Sequence, residues 1–346
     1  MRSAVLRSGE MLVRDDVPEP VPGMGQVLVE VKACGICGSD LHFAKHGATM
    51  LERGQEMTGV PDMGGEPLEL ERDVFMGHEF SAEVLEAGPD TVAPPAGTLV
   101  TSLPVMISAT GMENLAYTNA VPGGYSERML LSAPLLLEVP NGLDAGRAAL
   151  TEPMAVGLHA VNRSGIAAGD GALVLGSGPV GLAVIAALRL KGIEPIVASD
   201  YSPARRQLAL AMGASEAVDP AQEPAFEAWA RVGGARSLVV FDAVGVPGII
   251  EDAMRQAPAQ SRLLVVGVCM ERDGITPFYG IAKELDIRFA FAYDPMEFAA
   301  TLTSIAEGEF DVGPMITGEV ALEGVPDAFR ELATPERHCK ILVVPS

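Results

Sequence analysis

The sequence predicts a two-part α/β protein, a β-rich unit followed by a doubly wound parallel sheet of six strands. Three observations carry that expectation. Short β patterns separated by Pro and Gly crowd the first part of the chain, and six short apolar runs alternate with helical segments from Gly142 onward. A Gly-x-Gly-x-x-Gly turn lies between the first of those runs and the helix that follows it. At 346 residues and 48% hydrophobic content, the chain has the length and the apolar material for two cores.

In the β-rich part, MLV (11–13), QVLVEVKA (26–33), FSAEVLEAG (80–88), GTLVTSLPV (97–105) and ERMLLS (127–132) read as strands of a small barrel or sandwich. The polar, Gly-rich, Met-containing stretch from Gly47 to Met76 has no period and reads as a long functional or mobile loop. In the second part, ALVL (172–175), PIVAS (195–199), EAV (216–218), SLVVF (237–241), RLLVV (262–266) and DIRFAF (286–291) read as buried parallel strands. Helices are expected between them at 179–191, 203–212, 223–231, 247–256 and 277–284. The tail adds a helix at 294–307, a strand near 318–322 and KILVV (340–344); with the sheet already complete, it is expected to rejoin the first domain. The domains so drawn are 1–150 with 292–346, and 151–291.

With 24 basic and 46 acidic residues, the net charge of −22 repels nucleic-acid phosphates and anionic lipid surfaces, so neither is an expected partner. Cys34, Cys37, Cys269 and Cys339 are too few and too scattered for a disulfide scaffold. MRSAVLRSGE lacks the apolar core of a signal peptide, so a cytoplasmic protein is expected. The apolar stretch Ala172–Leu188 is interrupted by Gly176, Gly178, Pro179 and Gly181, which a membrane span does not explain.

Those glycines have a soluble explanation. Gly176 permits a tight turn, Gly178 lets the backbone reach a pyrophosphate, and Gly181 lets helix and strand pack closely. Pro179 and Val180 open the helix, whose free N–H groups and partial positive charge suit phosphate. Asp200 ends the next strand, where a carboxylate accepts from ribose hydroxyls and repels a 2′-phosphate, favouring NAD over NADP. Arg205 and Arg206 stand close enough in sequence to blur that preference. Val244, Val266 and Gly267 follow later strands, on the side where open sheets bind ligands.

In the first part, VKACGICGSDLH brings Cys37, Ser39, Asp40 and His42 into close order, FMGHEF offers His78 and Glu79, and LTEPMAVGLHA offers Glu152. A thiolate, an imidazole and one carboxylate make a zinc set with a position open for water or substrate. Their charges cancel that of Zn²⁺, whereas a second carboxylate would oppose an alkoxide. Glu79 and Glu152 are therefore expected to share the third position or to exchange with water.

Taken together, Gly35-Ile-Cys-Gly-Ser-Asp40, Gly77-His-Glu79, Gly123-Gly-Tyr-Ser-Glu127, Glu152-Pro153 and the Gly-rich turn resemble the medium-chain, zinc-dependent alcohol dehydrogenase family over nearly the whole chain. The segment from Glu152 to His159 is similar to the polyol branch of sorbitol, threonine and butanediol dehydrogenases. The resemblance implies a GroES-like catalytic domain, a Rossmann domain, and hydride transfer between a secondary alcohol, polyol or diol and NAD. It implies zinc on Cys37, His78 and one of the two glutamates, Ser39 as proton acceptor, His42 as relay, and Asp40 as the carboxylate that holds the His78 ring. It also implies a small alcohol or ketone substrate and a homodimer or homotetramer.

Residues 89–125 hold no cysteine, so the family's structural zinc is not expected, and LPVMISATGMENL occupies that lobe. The Cys37–His78 separation is long, as in butanediol dehydrogenases, which suits a vicinal diol. Met50, Met57, Met63, Met76, Met106 and Met112 lie near this insertion and the lobe, and read as core filler. Two other readings are a zinc-free NAD(P)H-dependent enone or quinone reductase, and a dinucleotide-binding protein without turnover. The zinc ligand set argues against the first, and an intact Ser39/His42 relay against the second.

Overall fold

The chain is described by a computed structural model over residues 1–57, 68–108, 111–334 and 337–345. It divides into two compact units. One contains Met1–Glu152, Ile316–Thr334 and the C-terminal strand; the body of the other is Pro153–Met315.

The first unit is built on a seven-stranded sheet around the strand Gln26–Gly35, which pairs antiparallel with Glu79–Ala87, Arg128–Ser132 and Lys340–Val343. Every second residue of Gln26–Gly35 points inward, so Val27, Val29 and Val31 are fully buried with Phe80, Ala82, Met129 and Leu131 of its neighbours. A smaller sheet of Ser3–Arg7, Glu10–Arg14 and Val74–Phe75 completes the β-rich unit.

One expectation changes here. The stretch from Gly47 is helical at its start, because the helix Gly38–Glu56 runs on past a kink at His46. A capping box starts that helix, and Phe43, with Leu41, Ala44 and Met50, packs it on the core, which outweighs its glycines. Residues 58–67 of the insertion, Met63 included, lie outside the described residues. The cysteine-free lobe forms a two-stranded hairpin, Val105–Ser108 with Gly111–Asn114, that sends Met106 into the core.

The second unit has the six parallel strands that the apolar runs predict. In spatial order they are Glu216–Val218, Ile196–Ser199, Gly171–Leu175, Leu238–Asp242, Arg262–Val265 and Asp286–Phe289. The chain reverses direction across the sheet at Gly171–Leu175, and this switch point is where doubly wound sheets bind ligands. The return to the first unit falls later than the 292 drawn from sequence, since the helix Pro295–Ala306 clusters with the second unit and Ile316–Val320 begins the return. A capping box of Asp294 and Glu297 starts that helix. Glu297 also accepts from Asn162 and meets His159 at 2.7 Å, tying it to the helix Thr151–Ser164. Among the described residues, no helix is long and apolar enough to cross a membrane.

Candidate metal centre and dinucleotide site

Cys37 is the N-cap of the helix Gly38–Glu56, where the free N–H groups and the helix dipole favour a thiolate. Asp40, at the third helical position, accepts the Cys37 N–H at 3.0 Å and so fixes the turn that presents the sulfur. His78 arrives from the segment between Val74–Phe75 and Glu79–Ala87, and Glu79 opens the latter strand opposite Gly35. Gly35 is required by that approach, since a β-carbon there would stand 2.1 Å from Glu79 Oε2. Cys37, His78 and Glu79 each bring a donor atom within 4.8 Å of the others.

The His78 side chain is 11% exposed, and its Nδ1 is buried without a hydrogen-bond partner. Asp40 Oδ1 stands 3.6 Å away, beyond hydrogen-bond length. An orphaned buried ring nitrogen beside a carboxylate is unfavourable alone and fits a histidine whose other nitrogen is held by a metal. Burial opposes the charged imidazolium, but Asp40, Cys37 and Glu152 outweigh it and hold His78 well above its usual pKa. Burial, with the charge of Glu79, pushes the Cys37 thiol up against the pull of His78. Both groups thus hold protons that a bound metal must displace, as thiol and imidazole ligands do.

The two glutamates differ. Glu79 is fully buried, and each of its carboxylate oxygens accepts from Lys340 Nζ at 2.7 Å; the same ammonium donates to the Ile36 carbonyl at 3.0 Å. Glu152, in the first turn of Thr151–Ser164, lies outside the tight donor group, although its charge acts on His78.

Asp40 is fully buried and collects three donors: the Cys37 N–H, the Tyr125 hydroxyl at 2.5 Å on the same oxygen, and the Tyr117 hydroxyl at 3.0 Å on the other. Ser39 precedes it on the helix, half-buried, and His42 follows Ser39 by three residues on the same side of the helix, where it is exposed. Burial and the neighbouring His46 and Lys45 lower the His42 pKa. Sequence reading had not singled out Tyr117 or Lys340. A lysine opening an otherwise apolar strand was the available signal for Lys340.

The dinucleotide motif folds as the spacing predicts. Gly176 has φ +86°, Gly178 is the N-cap of Pro179–Leu190, and a β-carbon on Gly181 would stand 2.0 Å from the Gly176 carbonyl oxygen. Val180 lies in the first turn, while Val244, Val266 and Gly267 sit in the loops after Leu238–Asp242 and Arg262–Val265. The backbone N–H of Ser177 donates to Asp200 Oδ2 and that of Ser202 to Oδ1, both at 2.8 Å, so the carboxylate is anchored to the Gly-rich turn. Arg206 is committed to the carbonyls of Asp200 and Tyr201 and to Asp219. Arg205 reaches within 4.0 Å of Asp200, and its buried Nε has no hydrogen-bond partner.

Comparison with known proteins gives the family. Residues 23–141 match the alcohol dehydrogenase GroES-like domain, and residues 179–307 match the zinc-binding dehydrogenase model. The (R,R)-butanediol dehydrogenase of Bacillus subtilis is 32% identical over 96% of this chain and 96% of its own. The chain belongs to the zinc-dependent medium-chain alcohol and polyol dehydrogenase family. Members of this family among its relatives include the sorbitol dehydrogenase of Bacillus subtilis, 26% identical over 100% of this chain and 98% of its own. The crystal structure of 2R,3R-butanediol dehydrogenase from Bacillus subtilis superposes with a TM-score of 0.82 at 31% identity, covering 100% of this chain and 99% of that one. A solved protein from Sinorhizobium meliloti 1021, bound to NADP, is 28% identical with a TM-score of 0.81, and 99% of each chain is covered.

Proposed function

We propose that this chain oxidises a secondary alcohol, with a vicinal diol or polyol as the substrate class, and reduces NAD. The carrying observation is the cluster of Cys37, His78 and Glu79 donor atoms within 4.8 Å at the helix end that bears Ser39. The relatives named for butanediol and sorbitol support the substrate class. A zinc-free reductase has no use for this donor set, and a mere dinucleotide binder has none for the relay beside it.

Cys37 and His78 are the fixed ligands of one catalytic zinc in this reading. Glu79, the carboxylate of the donor cluster, and Glu152, whose charge acts on His78, share the third position; the hold of Lys340 on both Glu79 oxygens favours Glu152 when the metal is bound. When bound, the zinc supplies a Lewis acid that polarises the substrate hydroxyl, and the dinucleotide supplies a hydride acceptor. Asp40, 3.6 Å from His78 Nδ1, acts on the ring by its charge and is the carboxylate that would take up the Nδ1 hydrogen on a small approach. Ser39 Oγ receives the proton of the substrate hydroxyl, and His42, exposed one turn on, passes a proton to solvent.

For the cofactor, the anchored negative charge of Asp200 favours NAD; the Arg205 guanidinium at the loop, its Nε unpartnered, can lie against an adenine or meet a phosphate. Gly176, Gly178, Pro179, Val180 and Gly181 hold the pyrophosphate, and Val244, Val266 and Gly267 line the nicotinamide half.

Four free cysteines suit a reducing cytoplasm. A homodimer or homotetramer is supported by the edge strand Asp286–Phe289, whose Phe289 is 62% exposed, with Phe291 just after it 90% exposed.

The test is a screen of vicinal diols, sugar alcohols and amino alcohols with NAD and with NADP, following reduced cofactor. Reduction with a diol or polyol is expected; no reduction with any alcohol would refute the reading.

A further inference from the structure

Tyr117 has φ +60°, a left-handed conformation that bulky residues avoid. The surroundings hold it there. Its N–H donates to the Phe75 carbonyl at 3.0 Å, the Phe75 N–H donates to the Thr118 carbonyl at 2.8 Å, and its ring stacks on Phe43 with centroids 4.4 Å apart. The result is a phenol hydroxyl 3.0 Å from Ser39 Oγ and 3.0 Å from Asp40 Oδ1. Its ring lies 6.1 Å from that of His78.

A phenol carries one hydrogen, and here two acceptors stand at equal distance. Asp40 has two other donors, the Tyr125 hydroxyl and the Cys37 N–H, so it keeps partners when Tyr117 turns away. Ser39, for its part, receives the Tyr117 hydrogen on one lone pair and keeps its own proton and a second lone pair. Those are the two things that a relay hydroxyl needs, an acceptor site for the incoming proton and a proton to pass on.

We propose that Tyr117 is a positioning residue for the proton relay, its single hydrogen poised between Asp40 and Ser39 Oγ. As Ser39 passes its own proton onward, negative charge builds on its oxygen and the Tyr117 hydrogen rotates from the carboxylate toward it; when the substrate's proton recharges Ser39, the hydrogen rotates back. No bond to Tyr117 breaks. The strained backbone and the Phe43 stack place the hydroxyl where it can serve both acceptors. This inference rests on the alcohol dehydrogenase reading of the same site.

Tyr117→Phe keeps the ring, the stack and the backbone bonds and deletes only the shared hydroxyl. It is expected to lower kcat for alcohol oxidation roughly tenfold, the weight of one hydrogen bond to a developing charge. The KM for NAD and the zinc content should stay at wild-type values. In a Ser39→Ala background, Tyr117→Phe should cause no further loss, because the group it serves is gone. In a Ser39→Thr background, which keeps a hydroxyl, the tenfold penalty should return. Wild-type kcat in Tyr117→Phe, or the same tenfold loss in Ser39→Ala, overturns the proposal while leaving the dehydrogenase reading intact. A wild-type chain that oxidises no alcohol overturns both.

Discussion

Lys340 Nζ lies 2.7 Å from each carboxylate oxygen of Glu79, although 261 residues separate the two in sequence. Their side chains are 1% and 0% exposed, so the pair has left water entirely. Attraction at this distance offsets the cost of burying two charges only while both are present. Lys340→Met should therefore destabilise the fold by about 3–5 kcal/mol, because it strands a buried carboxylate. The Lys340→Met/Glu79→Gln double variant should recover part of that loss. Urea unfolding of the wild type, Lys340→Met, Glu79→Gln and the double variant checks this, and additive losses would mean that the pair does not act as a unit.

Cys37→Ser should remove zinc and turnover together while leaving NADH affinity near wild type. The Gly-rich turn belongs to the other compact unit and shares no residue with the donor cluster. Zinc analysis and NADH fluorescence titration on the same preparation measure both. Parallel loss of zinc and of NADH binding would mean that the substitution had damaged the fold.

Asp200→Ala should weaken NAD roughly tenfold or more, the range for losing hydrogen bonds to a charged acceptor, and raise the use of NADP relative to NAD. The two kcat/KM values report it. An unchanged ratio would place the ribose contact elsewhere.

Glu297 makes one region of the second unit sensitive to acid. Burial alone would raise its pKa, but hydrogen bonds from Asn162, the Asp294 backbone and His159 overcome this and hold it below the ordinary glutamate value. A depressed folded pKa gives stability that is present above the unfolded pKa of about 4.3 and fades as pH falls through the folded value. Glu297→Gln should thus cost about 1–2 kcal/mol at neutral pH. The difference from wild type should shrink as pH drops below about 4. Urea midpoints over that range are the measurement, and a constant difference would show that the charge plays no part.

The second unit is legible in the sequence because each of its strands is a continuous apolar run and the Gly176–Gly181 turn combines glycines that only backbone proximity explains. Cys37, Asp40 and His78 are legible for a similar reason: short-range motifs carry them, and a capping box ties the first two together. The clasp of Glu297 on His159 and Asn162, which keeps Pro295–Ala306 with the second unit, depends on pairing 135 and more residues away and leaves no local mark. Lys340 is hidden by the same distance, and Tyr117 by a backbone conformation that no propensity predicts. The helix running to Glu56 was obscured by Gly47 and Gly54, whose propensity cost is outweighed by the packing of Phe43 and Met50.

One zinc, held by Cys37 and His78, is expected to make this chain an NAD-reducing alcohol dehydrogenase. The most direct measurement follows NADH formation from a vicinal diol before chelation, after dialysis against a chelator, and after zinc is restored, with metal content determined at each stage. About one zinc per chain, loss of turnover with the metal, and recovery of both on adding zinc are expected. Undiminished NADH formation by zinc-depleted protein would contradict it.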